Sequence, residues 1–177
     1  PGPEEGLARV VEAGSRWEAA GSGGGYAGLM LLQAEVCARE GQVEMGLKAI
    51  DQAQAWIERT GVQATHPDVW RIRGELLLAL GDERGTSGTR RPTKDEGRRT
   101  ADAGEAEACF QRALEIAREQ EARMFELRAA VRLARLWGSQ GRCEEARELL
   151  APIYDWFSEG FDTLDLIEAK ALLDELA

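Results

Sequence analysis

Histidine occurs once, at position 66, and the three cysteines, Cys37, Cys109 and Cys143, never stand as a CxxC pair. A single imidazole with no partnered thiol leaves too few ligands for a zinc site and no His–Cys couple for nucleophilic attack. No phosphate-cradling loop is present either. "GGGYAG" at 23–28 matches GxGxxG formally, but no strand precedes it, and it reads as an interhelical loop. The expectation is a non-enzymatic chain with no catalytic residue, no cofactor and no metal. Cysteines that are odd in number and set inside helical patterns suit a reducing, cytoplasmic compartment with buried or inert thiols.

Aromatic residues make up only 6% of the chain, and few windows alternate β-branched or aromatic with polar residues as strands require. Long apolar runs are missing too. "LLLAL" at 76–80 is typical of the longest, well short of the roughly 18–20 residues of a membrane span. Basic residues are outnumbered, 22 Lys and Arg against 32 Asp and Glu, for a net charge of −10. Such a chain repels phosphate backbones and anionic lipid, so neither nucleic acid nor a membrane is expected as a partner. The opening "PGPEEG" carries no signal-peptide pattern and reads as an interior stretch of a longer protein.

What is abundant is Ala, Leu, Glu and Arg, which lose little side-chain entropy in a helix. The expectation is one all-α domain over 1–177. Gly41, Gly81 and Gly141 each follow an apolar-periodic segment, as a helix-terminating glycine does. The small residues Gly6, Gly46, Ala106 and Ala146 open a second set of segments and lie 40, 60 and 40 residues apart. The pattern is a 40-residue helix-turn-helix repeat, with 20 extra residues in one turn. "GPEEGLARVVEAG", "GQVEMGLKAIDQA", "GEAEACFQRALEI" and "GRCEEARELLAPI" are four versions of the second helix, each opening with acidic residues that suit the positive end of the helix dipole. The first helices are expected at 26–40, 67–80 and 122–140, giving about eight helices with a capping helix at 163–176. In that cap Leu166, Ala169, Leu172, Leu173 and Leu176 share one face, with Glu168, Lys170, Asp174 and Glu175 outside it.

Residues 82–104 hold Gly, Ser, Thr, Asp, Arg and Pro92 with no large apolar side chain, so they cannot offset the entropy of ordering and are expected to be disordered. Arg84, Arg90, Arg91, Lys94, Arg98 and Arg99 make this stretch basic, and Thr86, Ser87, Thr89 and Thr93 are conceivable phosphorylation sites. A solvated insertion without function is the ordinary reading of such a segment. Trp17, Trp56, Trp70, Trp137 and Trp156 mostly fall at core-facing spacings, Trp56 and Trp156 in equivalent places. Pro152 removes a backbone donor and is expected to bend the helix that follows Gly141.

Trp70, Gly74 and Leu77, followed by Ala106, Phe110 and Ala113, resemble the tetratricopeptide repeat signature of large and small residues on paired helices; Ala34 and Ala134 take the place of Gly74 in the other repeats. The period of 40 departs from the usual 34 of that family. The order of "LKAIDQAQAWIERTG", "RIRGELLLALGD", "AEACFQRALEIARE", "ELRAAVRLARLW" and "YDWFSEGFDTLDLIEAKALLDEL" is similar to the C-terminal repeat region of large bacterial regulatory ATPases, some linked to a cyclase domain and others to a transcriptional activator domain. The resemblance implies a tetratricopeptide-like superhelix of antiparallel helix pairs serving as a protein-protein interaction and scaffold module. Its partner would be a protein or peptide segment, the upstream domains of its own parent chain included. The alternative is a small-molecule inducer-sensing domain. In such a superhelix the first helices line the concave side, which makes Glu35, Arg39, Arg71, Glu75, Arg128 and Arg135 the candidate contacts. Leu7, Val10 and Val11 on the first segment would present an apolar face that leaves room for self-association through an open N-terminal helix.

Overall fold

The computed structural model describes residues 9, 12, 16, 25–61, 66–86 and 92–177, with 82–86 and 92–99 described by their backbone alone. Among the described residues seven helices have assigned bounds, in chain order: α1 (Tyr26–Arg39), α2 (Val43–Thr60), α3 (His66–Thr86), α4 (Pro92–Glu119), α5 (Arg123–Ser139), α6 (Cys143–Asp155) and α7 (Leu164–Glu175). Among the described residues there is no strand. The helix expected before α1 lies outside the described residues except for Arg9, Glu12 and Arg16, which are helical and exposed. Leu7, Val10, Val11 and Trp17 also lie outside them.

Each helix packs on the next in sequence, and α1 also touches α3, α3 touches α5, and α5 touches α7. The odd-numbered helices therefore stand in a row. Two apolar clusters result, one built from α1, α2 and α3 around Met30, Ile50, Ile57 and Ile72, the other from α3 to α7 around Phe110, Leu127, Leu133, Leu150 and Leu166. α3 serves both, Leu76 facing the first cluster and Leu77 the second.

Short turns make this stacking possible. After α1 the backbone turns at Gly41 (φ 69°) and the Gln42 N–H donates to the Cys37 carbonyl at 2.9 Å. After α5 the same turn occurs at Gly141 (φ 80°), with Arg142 N–H donating to Trp137 O at 2.9 Å. A third copy joins α4 to α5, where Ala122 N–H reaches Ala117 O at 2.8 Å, but the left-handed position is taken by Glu121 (φ 53°). A side chain there meets the steric penalty that glycine avoids.

Gly81 does not end a helix. It lies inside α3, which continues to Thr86, and a Cβ added to it would meet only Asp102 at 3.7 Å. Within residues 82–104, expected to be disordered, the described backbone is helical to Thr86 and again from Pro92 onward. The described part of this stretch thus lengthens both arms of the α3–α4 pair. Proline suits the first position of α4, where its missing N–H would have had no intrahelical partner. Residues 87–91 and the side chains of Arg84, Thr86, Thr93, Lys94, Arg98 and Arg99 lie outside the described set.

Gly74 performs the close approach that its spacing suggests. A Cβ there would stand 2.5 Å from Cε1 of the fully buried Phe110, so α3 and α4 meet backbone to ring. Gly46 plays the same part on α2, where a Cβ would fall 2.6 Å from a Leu76 methyl. α7 docks through Leu166, Ala169 and Leu172, as its pattern indicates. Trp156 departs from expectation: it is 58% exposed, whereas Trp56 is buried against Tyr26. α2 runs on to Thr60, but α6 stops at Asp155, three residues past Pro152, so the two tryptophans have no equivalent helical setting.

Gly74→Ala is expected to lower stability by about 1–2 kcal/mol, overpacking against Phe110 outweighing the better helix propensity of alanine. Glu121→Gly is expected to raise it by about 0.5–1 kcal/mol by relieving the left-handed backbone. Urea denaturation of both variants beside the parent chain checks the two signs.

Candidate binding groove

Residues spaced three or four apart share one face of a helix, and four helices turn such a face toward one cavity. α1 supplies Glu35 and Arg39, α3 supplies Arg71, α5 supplies Arg128, Val131 and Arg132, and α7 supplies Leu164, Asp165 and Glu168. The cavity holds about 320 Å³.

Arg71 organises it. The side chain is only 7% exposed, and its guanidinium donates Nε to Asp68 at 2.7 Å, Nη1 to Glu75 at 2.8 Å and Nη2 to Glu35 at 2.8 Å. Burial favours the neutral form, but the charges of Asp68 and Glu75 and the hydrogen bonds that Arg71 donates to Glu35 and Asp68 overcome it and hold the pKa above the ordinary arginine value.

The network then runs outward along the row. Glu75 Oε1 also accepts from Arg132 Nε at 2.6 Å, and Arg132 reaches on to Glu168 through Nη1. Arg128 grips Asp165 with two parallel bonds of 3.0 and 2.9 Å, a bidentate pair that fixes orientation as well as charge. That hydrogen bond raises the Arg128 pKa against the effect of burial. For Arg132 burial is again the largest influence, and Glu75 and Glu168 outweigh it, so its pKa also rises.

All six residues singled out from the sequence therefore belong to this region. Glu35, Arg39, Arg71 and Arg128 line the cavity, Glu75 braces Arg71 and Arg132 from behind, and Arg135 stands at the margin, 53% exposed and 3.0 Å from Glu168. Arg39 is exposed and has no ion-pair partner among the described residues. Sequence reasoning missed Asp68, Arg132, Asp165 and Glu168. Arg132 carried a signal, lying one turn from Arg128. Glu168 was placed on the outer side of the cap, whereas α7 docks with that edge toward the arginines of α5.

The remaining motifs contribute less. His66 opens α3 and its Nε2 accepts from Trp70 Nε1 at 3.4 Å. Burial, and then the charge of Arg112, lower the His66 pKa, with Glu58 and Glu119 acting in opposition. Cys37 and Cys109 are buried and burial pushes both thiols up, which disfavours the reactive thiolate. Cys143 is exposed at the first residue of α6. Among the described residues no group of three or more His, Cys, Asp or Glu is arranged to hold a metal ion, and no helix is long and apolar enough to cross a membrane. No protein-family model matches the chain, and no curated protein matches it.

Arg71→Ala would leave three carboxylates facing one another, and is expected to cost about 3–5 kcal/mol. Arg135→Ala, at an exposed pair, is expected to cost less than about 1 kcal/mol. Thermal or urea unfolding of the two variants measures this contrast.

For His66 the lowered folded-state pKa means that the unfolded chain binds its proton first. The contribution of His66 to stability is therefore complete above the unfolded value of 6.5 and is lost as pH falls toward the folded pKa. Between about pH 7.5 and about pH 5 the thermal midpoint should fall further for the parent chain than for His66→Gln, which lacks this titration.

Proposed function

We propose that the chain is a tetratricopeptide-like superhelix acting as a non-catalytic scaffold, the regulatory arm of a larger bacterial signalling ATPase. Its groove would hold a protein segment, with the upstream domains of the parent chain the first candidates. The observation that carries this reading is the charged cavity itself, which draws side chains from α1, α3, α5 and α7 and leaves Arg39 exposed at its edge. An extended segment crossing successive helices would meet successive charges, a pattern suited to peptide recognition. The tight contact of Gly74 with Phe110 and the row of odd-numbered helices support the repeat reading.

A second reading, a domain that senses a small-molecule inducer, draws on the cavity volume of about 320 Å³, which lies within the range of ligand pockets. Such pockets are mostly apolar, however, and here only Val131 and Leu164 among the lining residues are. The charged lining favours the scaffold.

The test is the thermal midpoint of the chain with the upstream segment of its parent protein added in trans, with complex size followed by light scattering. Binding at about 100 times Kd stabilises the folded state by about 2.7 kcal/mol, so a clear rise is expected, together with a weaker one for Arg39→Glu. An unchanged midpoint with the segment, but a rise with a metabolite, would transfer the groove to the sensor reading.

A further inference from the structure

A second cavity, of about 290 Å³, lies where the α4–α5 turn meets α6 and shares no lining residue with the groove; Arg118, Arg123, Glu126, Glu148, Leu149, Pro152, Ile153 and Trp156 form it. Its chemistry is divided between charge and apolar surface.

The charged side is prearranged. Glu126 is 3% exposed, and each of its carboxylate oxygens is taken by a different arginine, Oε1 by Arg118 Nε at 2.8 Å and Oε2 by Arg123 Nη1 at 2.7 Å. Glu126 thereby acts as a positioning residue that turns two cations toward one place. Both nevertheless keep donors to spare, for the Arg118 side chain is 53% exposed and that of Arg123 44%, and neither makes any other ion pair among the described residues. Glu148 is an exposed carboxylate on the same wall with no ion-pair partner among the described residues. Pro152 stands four residues beyond it, on the same helix and in the same lining. The apolar side is made by Leu149, Pro152, Ile153 and the indole of Trp156, which packs edge-on to Phe157 with ring centroids 5.2 Å apart and has the Arg123 guanidinium 5.4 Å from its own ring centre.

Free guanidinium edges recognise a carboxylate, an unpaired carboxylate recognises an ammonium, and the indole with its aliphatic neighbours recognises a large apolar side chain. From these we infer that the cavity is a binding site for a free α-amino acid with an aromatic or large aliphatic side chain. The zwitterion matches the lining, in which two arginines face two carboxylates. Within a peptide the two charged termini are separated, so the free amino acid is the matching form.

Titration calorimetry with L-phenylalanine and L-leucine at millimolar concentration tests this, with 3-phenylpropionate and phenethylamine as probes that each lack one charge. Saturable binding of at least one amino acid is expected, with each single-charge probe at least tenfold weaker. Trp156→Ala and Glu148→Gln, both at exposed positions, are expected to weaken binding about tenfold with an unchanged thermal midpoint. Arg123→Lys, which keeps a cation beside Glu126 but loses the planar fork, should also weaken it. No saturable binding by either amino acid, equal binding of 3-phenylpropionate, or binding indifferent to both Trp156→Ala and Glu148→Gln would overturn the assignment.

Discussion

The guanidinium of Arg71 is the interaction on which the row of helices depends. Placing a charge at 7% exposure costs several kcal/mol unless it is met on every side. Here Asp68 and Glu75 meet it from its own helix and Glu35 from α1, which ties the position of α1 to that of α3. Glu75 also binds Arg132 on α5, and Arg132 binds Glu168 on α7. One buried cation thus sets the register of four helices through alternating charges.

The apolar surface allows this arrangement but specifies it less sharply. Side chains of Leu, Ile and Ala pack in many orientations at similar energy, and two clusters that meet on α3 could tolerate a change of angle between helix pairs. The glycines narrow the choice, because Gly74 can lie on the Phe110 ring at only one point along α3. Geometric pairing by arginine narrows it further, since a guanidinium fork accepts carboxylates in few directions. Close packing within each pair and ion pairing between pairs are therefore complementary, and the charged network forms the wall of a cavity without having to be desolvated completely.

How much could be read beforehand follows from where each property resides. The all-helical class, the turns at Gly41 and Gly141 and the docking face of α7 are local or periodic, and each was legible. Gly81 misled because a glycine within a helix and one at its end look alike in sequence, and the difference lay in Asp102 and the rest of α4 running alongside. Glu121 was hidden for the opposite reason: nothing about a glutamate announces a left-handed turn, which is imposed by the hydrogen bond from Ala122 to Ala117 and the packing of α4 on α5. Trp156 matches Trp56 in repeat spacing, but α2 runs on to Thr60 while α6 ends at Asp155.

Helical spacing singled out Glu35, Arg39, Arg71, Glu75, Arg128 and Arg135, of which Glu35, Arg39, Arg71 and Arg128 line the groove. Spacing could not pair them. Whether Arg132 meets Glu75 or solvent, and whether Glu168 lies outside the cap or against Arg132 and Arg135, depends on how neighbouring helices are rotated and offset. Sequence alone determined an all-helical chain with its apolar faces and candidate charges, since those follow from local propensity and a period of 3.6 residues. Only the tertiary structure decided which charges are buried together, since electrostatic pairing is a matter of distances between helices far apart in the chain, and periodicity carries no information about them.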